Sequence, residues 1–253
     1  MPKHEIFTRA PEVSDKNYQL FAWGMNENHQ LGQLGGLQSQ APTSNPSSAR
    51  DRDLKAQQAS TGTFHGAGSA SRAILIPRQV RDLEDIKCHQ ICCGQSHSLI
   101  LTTEGDVYGL GNNSHGQLGF PVQRHPVVSQ PLKATIQGGP KIAQIACSSS
   151  HTLLLTEAGG LLGAGLNESG QVGLGLGRSR VVVEDFQRVL LPAHGTVEKI
   201  WCTDGVSGAA VKASDGSLEI WIWGRFGTDD QMSDCSPRQI PIPPEILNKG
   251  GVK

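Results

Sequence analysis

A repeated sequence pattern is the feature that most constrains the fold of this chain. One copy reads IKCHQICCGQSHSLILTTEGDVYGLGNNSHGQLG over residues 86–119, and a second reads KIAQIACSSSHTLLLTEAGGLLGAGLNESGQVG over 141–173. A degenerate copy covers 197–224, and residues 18–32 carry the end of a further copy. Repeats of this length indicate a propeller or a solenoid, in which each unit buries its apolar faces against its neighbours.

Each copy predicts short β-strands joined by tight turns. The apolar runs at 142–146 and 153–156 have the length of strands and end at turn-forming residues. The pairs Glu104-Gly105, Gly159-Gly160 and Asp215-Gly216 lie between such runs, and their glycines supply the positive φ angles of hairpin turns. Helix signals are weak throughout. We therefore expect an all-β propeller, in which small antiparallel sheets stack radially as about four recognisable blades.

The composition argues against several classes of function. The chain carries 22 Lys and Arg against 23 Asp and Glu, a formal net charge of -1. Proteins that bind nucleic acid usually carry a basic surplus, so no direct nucleic-acid contact is expected. The sequence shows neither a secretory signal nor an apolar run of membrane-spanning length, which favours the cytoplasm or the nucleus.

The repeat resembles that of the regulator of chromosome condensation family, whose propellers have seven blades. The resemblance covers roughly residues 18–34 and 80–226. With about four recognisable blades, the chain is expected either to form an incomplete or shortened ring or to close an unusual one. The recurring positions, which we interpret as structural, are Gly24, Gly94, His97, Gly105, Gly111, Asn113, Gly116, Gln117, Gly119, His151, Gly160, Gly165, Asn167, Gly170, Gln171, Gly173, Gly216 and Gly224.

Composition and repeats together divide the chain into segments. Residues 35–75 are rich in Ser, Gly, Ala and Gln and cannot bury enough apolar surface to order themselves, which predicts a disordered insertion. The predicted segments are an N-terminal tail (1–17), a first blade end (18–34), the insertion (35–75), two repeats (76–120 and 121–174), a degenerate repeat (175–236) and a proline-rich C-terminal tail (237–253).

The cysteines recur with the repeat. Cys93, Cys147 and Cys202 occupy equivalent positions at the ends of predicted strands and are interpreted as small buried hydrophobes. His89 with Cys92 would form only half of a zinc site, because no second pair of ligands follows at a useful spacing. No metal ligand and no cofactor-binding residue is therefore predicted.

The histidines also recur, which argues against a catalytic role. His97 and His151 are followed by Ser98 and Thr152, a pairing that resembles a base beside a nucleophile. A catalytic group is usually unique, whereas these belong to successive copies. We interpret them as buried rings whose nitrogens tie down a neighbouring loop, and we predict no catalytic residue.

Three tryptophans cluster in the last copy. Large aromatic residues on strands usually belong to the core. The alternation of side chains along strands predicts that Trp201 and one of the pair Trp221 and Trp223 face opposite environments. One of the three indoles is then available for a partner surface.

The resemblance implies a protein that acts by binding other proteins. Members of the family act as guanine-nucleotide exchange factors for small GTPases, or as scaffolds in ubiquitin ligation, vesicle traffic or modification of tRNA and translation factors. The basic arm and the wedge hairpin of nuclear exchange factors are not visible here, so no functional residue is carried over. The alternatives are an enzyme built around a propeller channel and a truncated product with little activity of its own.

Overall fold

The computed structural model describes residues 20–25, 30, 73–80, 83, 86–174, 181–225 and 236–242. All regular secondary structure in these ranges is β-strand, which confirms the predicted all-β class. The strands form three four-stranded antiparallel sheets and one two-stranded sheet. In the described part of the chain, no helix has the length and hydropathy needed to cross a membrane.

The four sheets are named blades 1 to 4 in chain order. Blade 1 contains β1 (Phe21–Met25) and β2 (Ala73–Gln79). Blade 2 contains β3 (Cys88–Cys93), β4 (His97–Thr102), β5 (Val107–Asn112) and β6 (Val127–Lys133). Blade 3 contains β7 (Ile142–Cys147), β8 (His151–Thr156), β9 (Leu161–Leu166) and β10 (Val182–Arg188). Blade 4 contains β11 (Gly195–Thr203), β12 (Val206–Ala213), β13 (Leu218–Gly224) and β14 (Arg238–Ile240).

Each complete blade is a meander in which consecutive strands pair antiparallel. The first strands of neighbouring blades pack against one another, β3 against β7 and β7 against β11. The second strands β4 and β8 are buried at every position. Such strands lie between two neighbouring blades and are covered on both faces, which explains why HSLILT and HTLLLT read as apolar runs rather than as alternating patterns.

Apolar side chains fill the joints between the blades. Leu99 and Leu101 of blade 2 meet Ile145 and Leu154 of blade 3 in one core cluster. A second cluster joins blade 3 to blade 4, and a third joins β1 and the residues that follow β2 to blade 2. The chain is therefore a row of blades, each held by burial of apolar area against the next.

Two predicted segment boundaries differ from the ends of the strands in the structure. Strand β2 begins at Ala73, so residues 73–75 belong to a blade and not to the insertion, whose residues 35–72 lie outside the described residues. At the other end, Arg238–Ile240 pairs with β13 as the fourth strand of blade 4. A strand this short shows no alternation that a sequence pattern can detect, because its pairing partner supplies its structure.

Candidate interaction surface

The repeated asparagines hold the loop that follows the third strand of each blade. The Asn113 amide donates to the carbonyl oxygen of Phe120 at 3.0 Å, and its oxygen accepts from the main-chain N–H of Leu118 at 2.9 Å. In blade 3 the oxygen of Asn167 accepts from the N–H of Val172 at 3.0 Å. Both side chains are buried and are occupied by these bonds, as buried polar groups require.

The repeated glutamines lie in the same loops, and Gln171 connects its loop to the next blade. The Gln171 side chain accepts from the N–H of Ser169 at 2.9 Å. Its main-chain carbonyl accepts from the Ser207 hydroxyl at 2.7 Å and from the Trp223 indole at 3.0 Å, both in blade 4. Gln117 is buried at the equivalent position of blade 2. This loop is therefore part of the joint.

Most of the repeated glycines occupy conformations that other residues avoid. Gly94 is required for lack of space rather than for its φ angle, because a Cβ there would lie 2.2 Å from the His97 ring and 2.2 Å from the carbonyl oxygen of Ser148. Gly24 lies opposite Ile74 in the pairing of β1 with β2. The repeat glycines with φ between 72° and 113° are Gly105, Gly111, Gly116, Gly119, Gly165, Gly170, Gly173, Gly216 and Gly224. Gly160 is preceded by Gly159, which has φ 81°.

His151 joins blade 3 to blade 4 through both ring nitrogens. Nδ1 lies 2.6 Å from the Ser148 hydroxyl, and Nε2 lies 2.7 Å from the Ser207 hydroxyl. The Ser207 hydroxyl donates to the carbonyl of Gln171, so it accepts from His151. The ring is therefore the neutral tautomer with its proton on Nε2, and Nδ1 accepts from Ser148.

His97 is equally buried but lacks these bonds. Among the described residues, neither of its ring nitrogens has a hydrogen-bond partner. The position equivalent to Ser148 is Gly94, which has no hydroxyl to offer. The repeat therefore places the two rings alike, while the residue three positions before each one decides whether Nδ1 is bonded.

Both histidines are expected to make the fold less stable in acid. Burial lowers the pKa of His97 and of His151 from 6.5 to about 4. In the unfolded chain the histidines keep the ordinary pKa of 6.5, so they bind protons there before they do in the folded protein. The free energy of unfolding is therefore highest above pH 6.5 and falls as the pH falls towards 4. We expect a loss of about 3 kcal/mol per histidine by about pH 4, measured by urea unfolding across this range. The variant His151→Gln has no ring to titrate and should remove about half of the pH dependence; an unchanged slope would contradict the assignment.

A glutamine amide on the first strand of one blade binds the main chain of the next. Gln90 Nε2 donates to the carbonyl of Ile145 at 2.9 Å, and its Oε1 accepts from the N–H of the same residue at 2.9 Å. Gln144 binds Ile200 in the same way, at 3.2 Å and 3.1 Å. We call this pair of bonds the amide clamp.

The amide clamp was not predicted from the sequence. Gln90 and Gln144 do recur at the same repeat position, and that recurrence is the signal that was available. The third copy has Lys199 there, which conceals the pattern. Because the bonded residue belongs to the next copy, its identity depends on how the blades stack.

Removing one amide clamp is expected to destabilise the joint between blades 3 and 4. In Gln144→Leu the N–H and C=O of Ile200 both lose their partner, at a cost of about 1–3 kcal/mol of unfolding free energy. The matched control is Gln130→Leu on β6, where the glutamine is exposed, and it should change stability by about 0.5 kcal/mol or less. Urea denaturation of the two variants gives the comparison, and equal losses would show that the bonds contribute nothing specific.

The repeated cysteines differ in how deeply they are buried, although they occupy equivalent positions of the repeat. Cys93 is exposed, so its interpretation as a buried hydrophobe is wrong, while Cys147 and Cys202 are partly buried. Burial raises the pKa of the Cys147 and Cys202 thiols, which keeps them protonated at neutral pH. Across the described ranges, no three His, Cys, Asp or Glu side chains are grouped as metal ligands, and His89 is exposed.

The three tryptophans occupy different environments in blade 4. Trp223 is fully buried in the joint with blade 3. Trp221 packs against the same cluster, and its indole donates to the Glu219 carboxylate at 2.9 Å. Trp201 lies over Gly208 on the opposite face of the sheet and is half-buried. Trp201 is therefore the indole that faces away from the joint.

The face of blade 4 that carries Trp201 is apolar. Ile222 is paired with Gly208 beneath the indole, and Ile220 is paired with Ile240 on β14. Paired residues share a face of a sheet, so these side chains form one surface. Ile240 is exposed, while Ile220 and Ile222 are half-buried. We call Trp201, Ile220, Ile222 and Ile240 the end face of blade 4.

Successive four-stranded blades with recurring polar joints define the class of β-propeller repeat proteins. Two family models, both described as Regulator of chromosome condensation (RCC1) repeat, match the chain, one at 88–117 and 142–171 and the other at 19–68 and 104–155. Together these matches span more than half of the sequence. The chain belongs to the regulator of chromosome condensation repeat family.

Several curated proteins are similar in sequence. The ultraviolet-B receptor UVR8 of Arabidopsis thaliana is 27% identical over 172 residues, covering 67% of this chain and 38% of the receptor. The human probable E3 ubiquitin-protein ligase HERC6 is 29% identical over 83% of this chain and 22% of the ligase. The mouse X-linked retinitis pigmentosa GTPase regulator is 31% identical over 72% of this chain and 18% of the regulator. The chain thus spans less than half the length of these relatives.

Solved structures share the fold. Human WBSCR16 superposes with a TM-score of 0.62 at 22% identity, covering 87% of this chain and 47% of that protein. Prp20p from Saccharomyces cerevisiae, whose structure was described together with its binding properties to Gsp1p and histones, gives a TM-score of 0.58 at 20% identity over 88% of this chain and 46% of Prp20p. The blades of this chain are therefore those of a propeller.

Proposed function

We propose that this chain is a protein-binding propeller that regulates a small GTPase by accelerating release of its bound nucleotide. The observation that carries the proposal is the end face of blade 4, an apolar sheet surface with no described strand packed on it. Exposed aromatic and aliphatic residues grouped on one surface are typical of protein interaction sites. Support for the kind of partner comes from the similarity to a GTPase regulator and to Prp20p, which binds Gsp1p.

The proposed activity needs binding energy and no bond-making step. A surface that binds the nucleotide-free GTPase more tightly than the nucleotide-bound form shifts the population towards the free form. By linkage, the same difference in affinity weakens nucleotide binding by the same factor, so GDP leaves faster. The repeated His151, Asn113 and Gln171 are occupied by hydrogen bonds within and between the blades, which is consistent with a structural role for them and with action through surface contact.

The first test compares two binding conditions. The immobilised whole chain is incubated with cytosol, once with magnesium chelated and once with excess GDP and magnesium. A small GTPase retained only in the chelated arm supports exchange activity, which is then measured as release of a fluorescent GDP analogue from that purified GTPase. Absence of any retained GTPase, or no acceleration of release by the chain, rejects the proposal.

The end face of blade 4 is expected to carry the contact. Trp201→Ala should weaken GTPase binding about tenfold or more, because a large aromatic residue at the centre of an interface contributes disproportionately. The matched control is Leu190→Ala, since Leu190 is 59% exposed elsewhere on the surface. Thermal melts establish that both variants fold. Equal binding by the two variants would place the contact on another surface.

A second candidate function is a scaffold that holds partners without exchanging nucleotide. The similarity to the HERC6 ubiquitin ligase favours it. A partner retained equally with chelator and with GDP and magnesium would support the scaffold over the exchange factor. Either function fits a protein of the cytoplasm or the nucleus, which fractionation of the source cells would test.

A further inference from the structure

Blade 2 carries a cysteine that the repeat does not account for. The cysteine that recurs at one repeat position is Cys93, Cys147 or Cys202, according to the blade. Cys92 occupies the position before it, where blade 3 has Ala146. Cys92 is therefore an addition within blade 2, and its surroundings decide what it can do.

The side chain of Cys92 faces blade 3. Cys92 pairs with Leu99 of β4, and Gln90, two residues earlier, pairs with Leu101. Paired residues of an antiparallel sheet share a face. Leu99 and Leu101 belong to the core cluster between blades 2 and 3, and Cys92 packs against that same cluster.

Cys147 faces Cys92 from the other side of this joint. Ile145, two residues before Cys147 on β7, is buried in the same cluster, against which Cys147 packs. The amide clamp fixes the register of the two strands, because Gln90 binds both main-chain groups of Ile145. The first strands of neighbouring blades run in the same direction. Two residues beyond the clamp, Cys92 and Cys147 therefore stand opposite one another.

The next joint shows this register through a measured contact. Gln144 clamps Ile200 there, and two residues further along both strands the Cys202 thiol donates to the carbonyl of Ala146 at 3.5 Å. Ala146 stands where blade 2 has Cys92, so this joint has a thiol on one side only. The joint between blades 2 and 3 has a thiol on each side.

The two facing thiols are in contact and differ in acidity. The S–H of Cys147 donates a hydrogen bond to the sulfur of Cys92, which lowers the pKa of the Cys92 thiol. Burial raises the pKa of the Cys147 thiol, which therefore keeps its proton. The thiolate is the form that attacks oxidants, so Cys92 reacts first. Both side chains are only partly buried, which gives a small oxidant access to them.

We propose that Cys92 and Cys147 form a redox modification site, at which hydrogen peroxide produces a reversible disulfide across the joint between blades 2 and 3. The Cys92 thiolate attacks one peroxide oxygen, the O–O bond breaks, and the products are a sulfenic acid on Cys92 and one water. The sulfur of Cys147 then attacks the sulfur of Cys92. An S–S bond forms, the S–O bond breaks, and the hydroxyl leaves as a second water with the proton of Cys147.

The reaction is balanced and reversible. The two thiols together lose two electrons and two protons, and the peroxide is reduced to two molecules of water. A dithiol reductant restores both thiols by thiol–disulfide exchange. The site lies between blades 2 and 3, so it is separate from the end face of blade 4 and does not rest on the proposed GTPase function.

The other described cysteines face elsewhere. Cys93 follows Cys92 directly on β3, so its side chain lies on the opposite face of the strand. Cys88 packs against the cluster between blades 1 and 2. Cys202 lies against the main chain of Ala146, in the joint between blades 3 and 4. The geometry therefore favours one disulfide among these thiols.

The test maps the disulfide by mass spectrometry. The reduced whole chain is treated with stoichiometric hydrogen peroxide, its remaining thiols are blocked with iodoacetamide, and it is digested with trypsin without reductant. Trypsin places Cys92 in the peptide 88–124 and Cys147 in the peptide 142–178. We expect these two peptides to be linked, with a mass two hydrogens below their sum, and to separate when dithiothreitol is added.

A pair of variants assigns the link to Cys92. Cys92→Ala introduces the residue that the repeat already carries in blade 3, and it should lower the yield of the linked peptides at least about tenfold, because a neighbouring thiol reacts far faster than a distant one. The matched control is Cys93→Ser, which changes the adjacent, exposed cysteine and should leave the yield unchanged. Thermal melts of the reduced proteins check that both variants fold.

A second measurement follows the joint itself. A disulfide closes residues 92–147 into a loop and restricts the unfolded chain. Oxidation is therefore expected to raise the urea midpoint of the native protein and to leave that of Cys92→Ala unchanged. The proposal is overturned if the peptides remain linked in Cys92→Ala, if the link disappears in Cys93→Ser, if it joins two molecules on a non-reducing gel, or if the folded native protein gives no link.

Discussion

Replacing Trp223 with alanine is expected to lower the free energy of unfolding by about 3–5 kcal/mol, as large-to-small changes of buried aromatic residues do. The indole is 0% exposed between blades 3 and 4. Its Nε1–H donates to the carbonyl of Gln171 at 3.0 Å, so the variant loses a buried hydrogen bond as well as packing. The loss is measured as the shift of the urea midpoint at an unchanged slope.

The matched control for this variant is Trp201→Ala. Trp201 lies on the same blade but is only half-buried on the end face, so less apolar area leaves water when the chain folds. We expect its removal to cost less than half as much stability as Trp223→Ala. If both variants lost the same amount, burial in the joint would not be the reason for the effect.

The second large effect is expected for Gly165→Ala in β9. The backbone there has φ 113°, and a Cβ would lie 2.5 Å from the carbonyl oxygen of Ser150 and 2.6 Å from Cα of His151. Both are main-chain atoms where β8 begins, beside the fully buried His151, and they cannot move aside easily. We expect a loss of about 2–5 kcal/mol, which combines about 1–2 kcal/mol for the positive φ with about 1–3 kcal/mol for overpacking.

Gly159→Ala separates these two contributions. Gly159 also has a positive φ, 81°, but no atom lies within 4 Å of a Cβ built there. The variant should therefore lose only the backbone part, about 1–2 kcal/mol. Thermal unfolding of the two variants side by side is sufficient. A loss at Gly159 as large as the loss at Gly165 would show that crowding by Ser150 and His151 is unimportant.

Much of the fold was predictable because its signals are local. The apolar runs at 142–146 and 153–156 lie within strands β7 and β8, and the hairpin turns fall at glycines with positive φ. Strand length, turn type and repeat spacing depend on residues near one another in the chain. Short β14 was missed because a strand of this length is stabilised by its neighbour β13 and leaves no pattern of its own.

The interaction surfaces were less predictable. The sequence narrowed the exposed indole to three tryptophans, but the pairing of β11, β12 and β13 was needed to place Trp201 on the face away from the joint. The recurrence of Gln90 and Gln144 was visible, but the residues they bind lie in the next blade. Contacts between copies depend on how the blades stack, which a repeat pattern alone does not specify.

Folding into successive blades follows from the amino-acid sequence, because alternation, glycine turns and repeat spacing are properties of each copy. Which of several equivalent residues are buried depends instead on how the blades pack in space. Ile91 and Ile145 occupy the same position of the repeat, yet among the described strands only Ile145 has a first strand of the preceding blade beside it. Burial depends on the neighbour that a residue meets in space, and at the ends of a row of blades identical local sequences meet different neighbours.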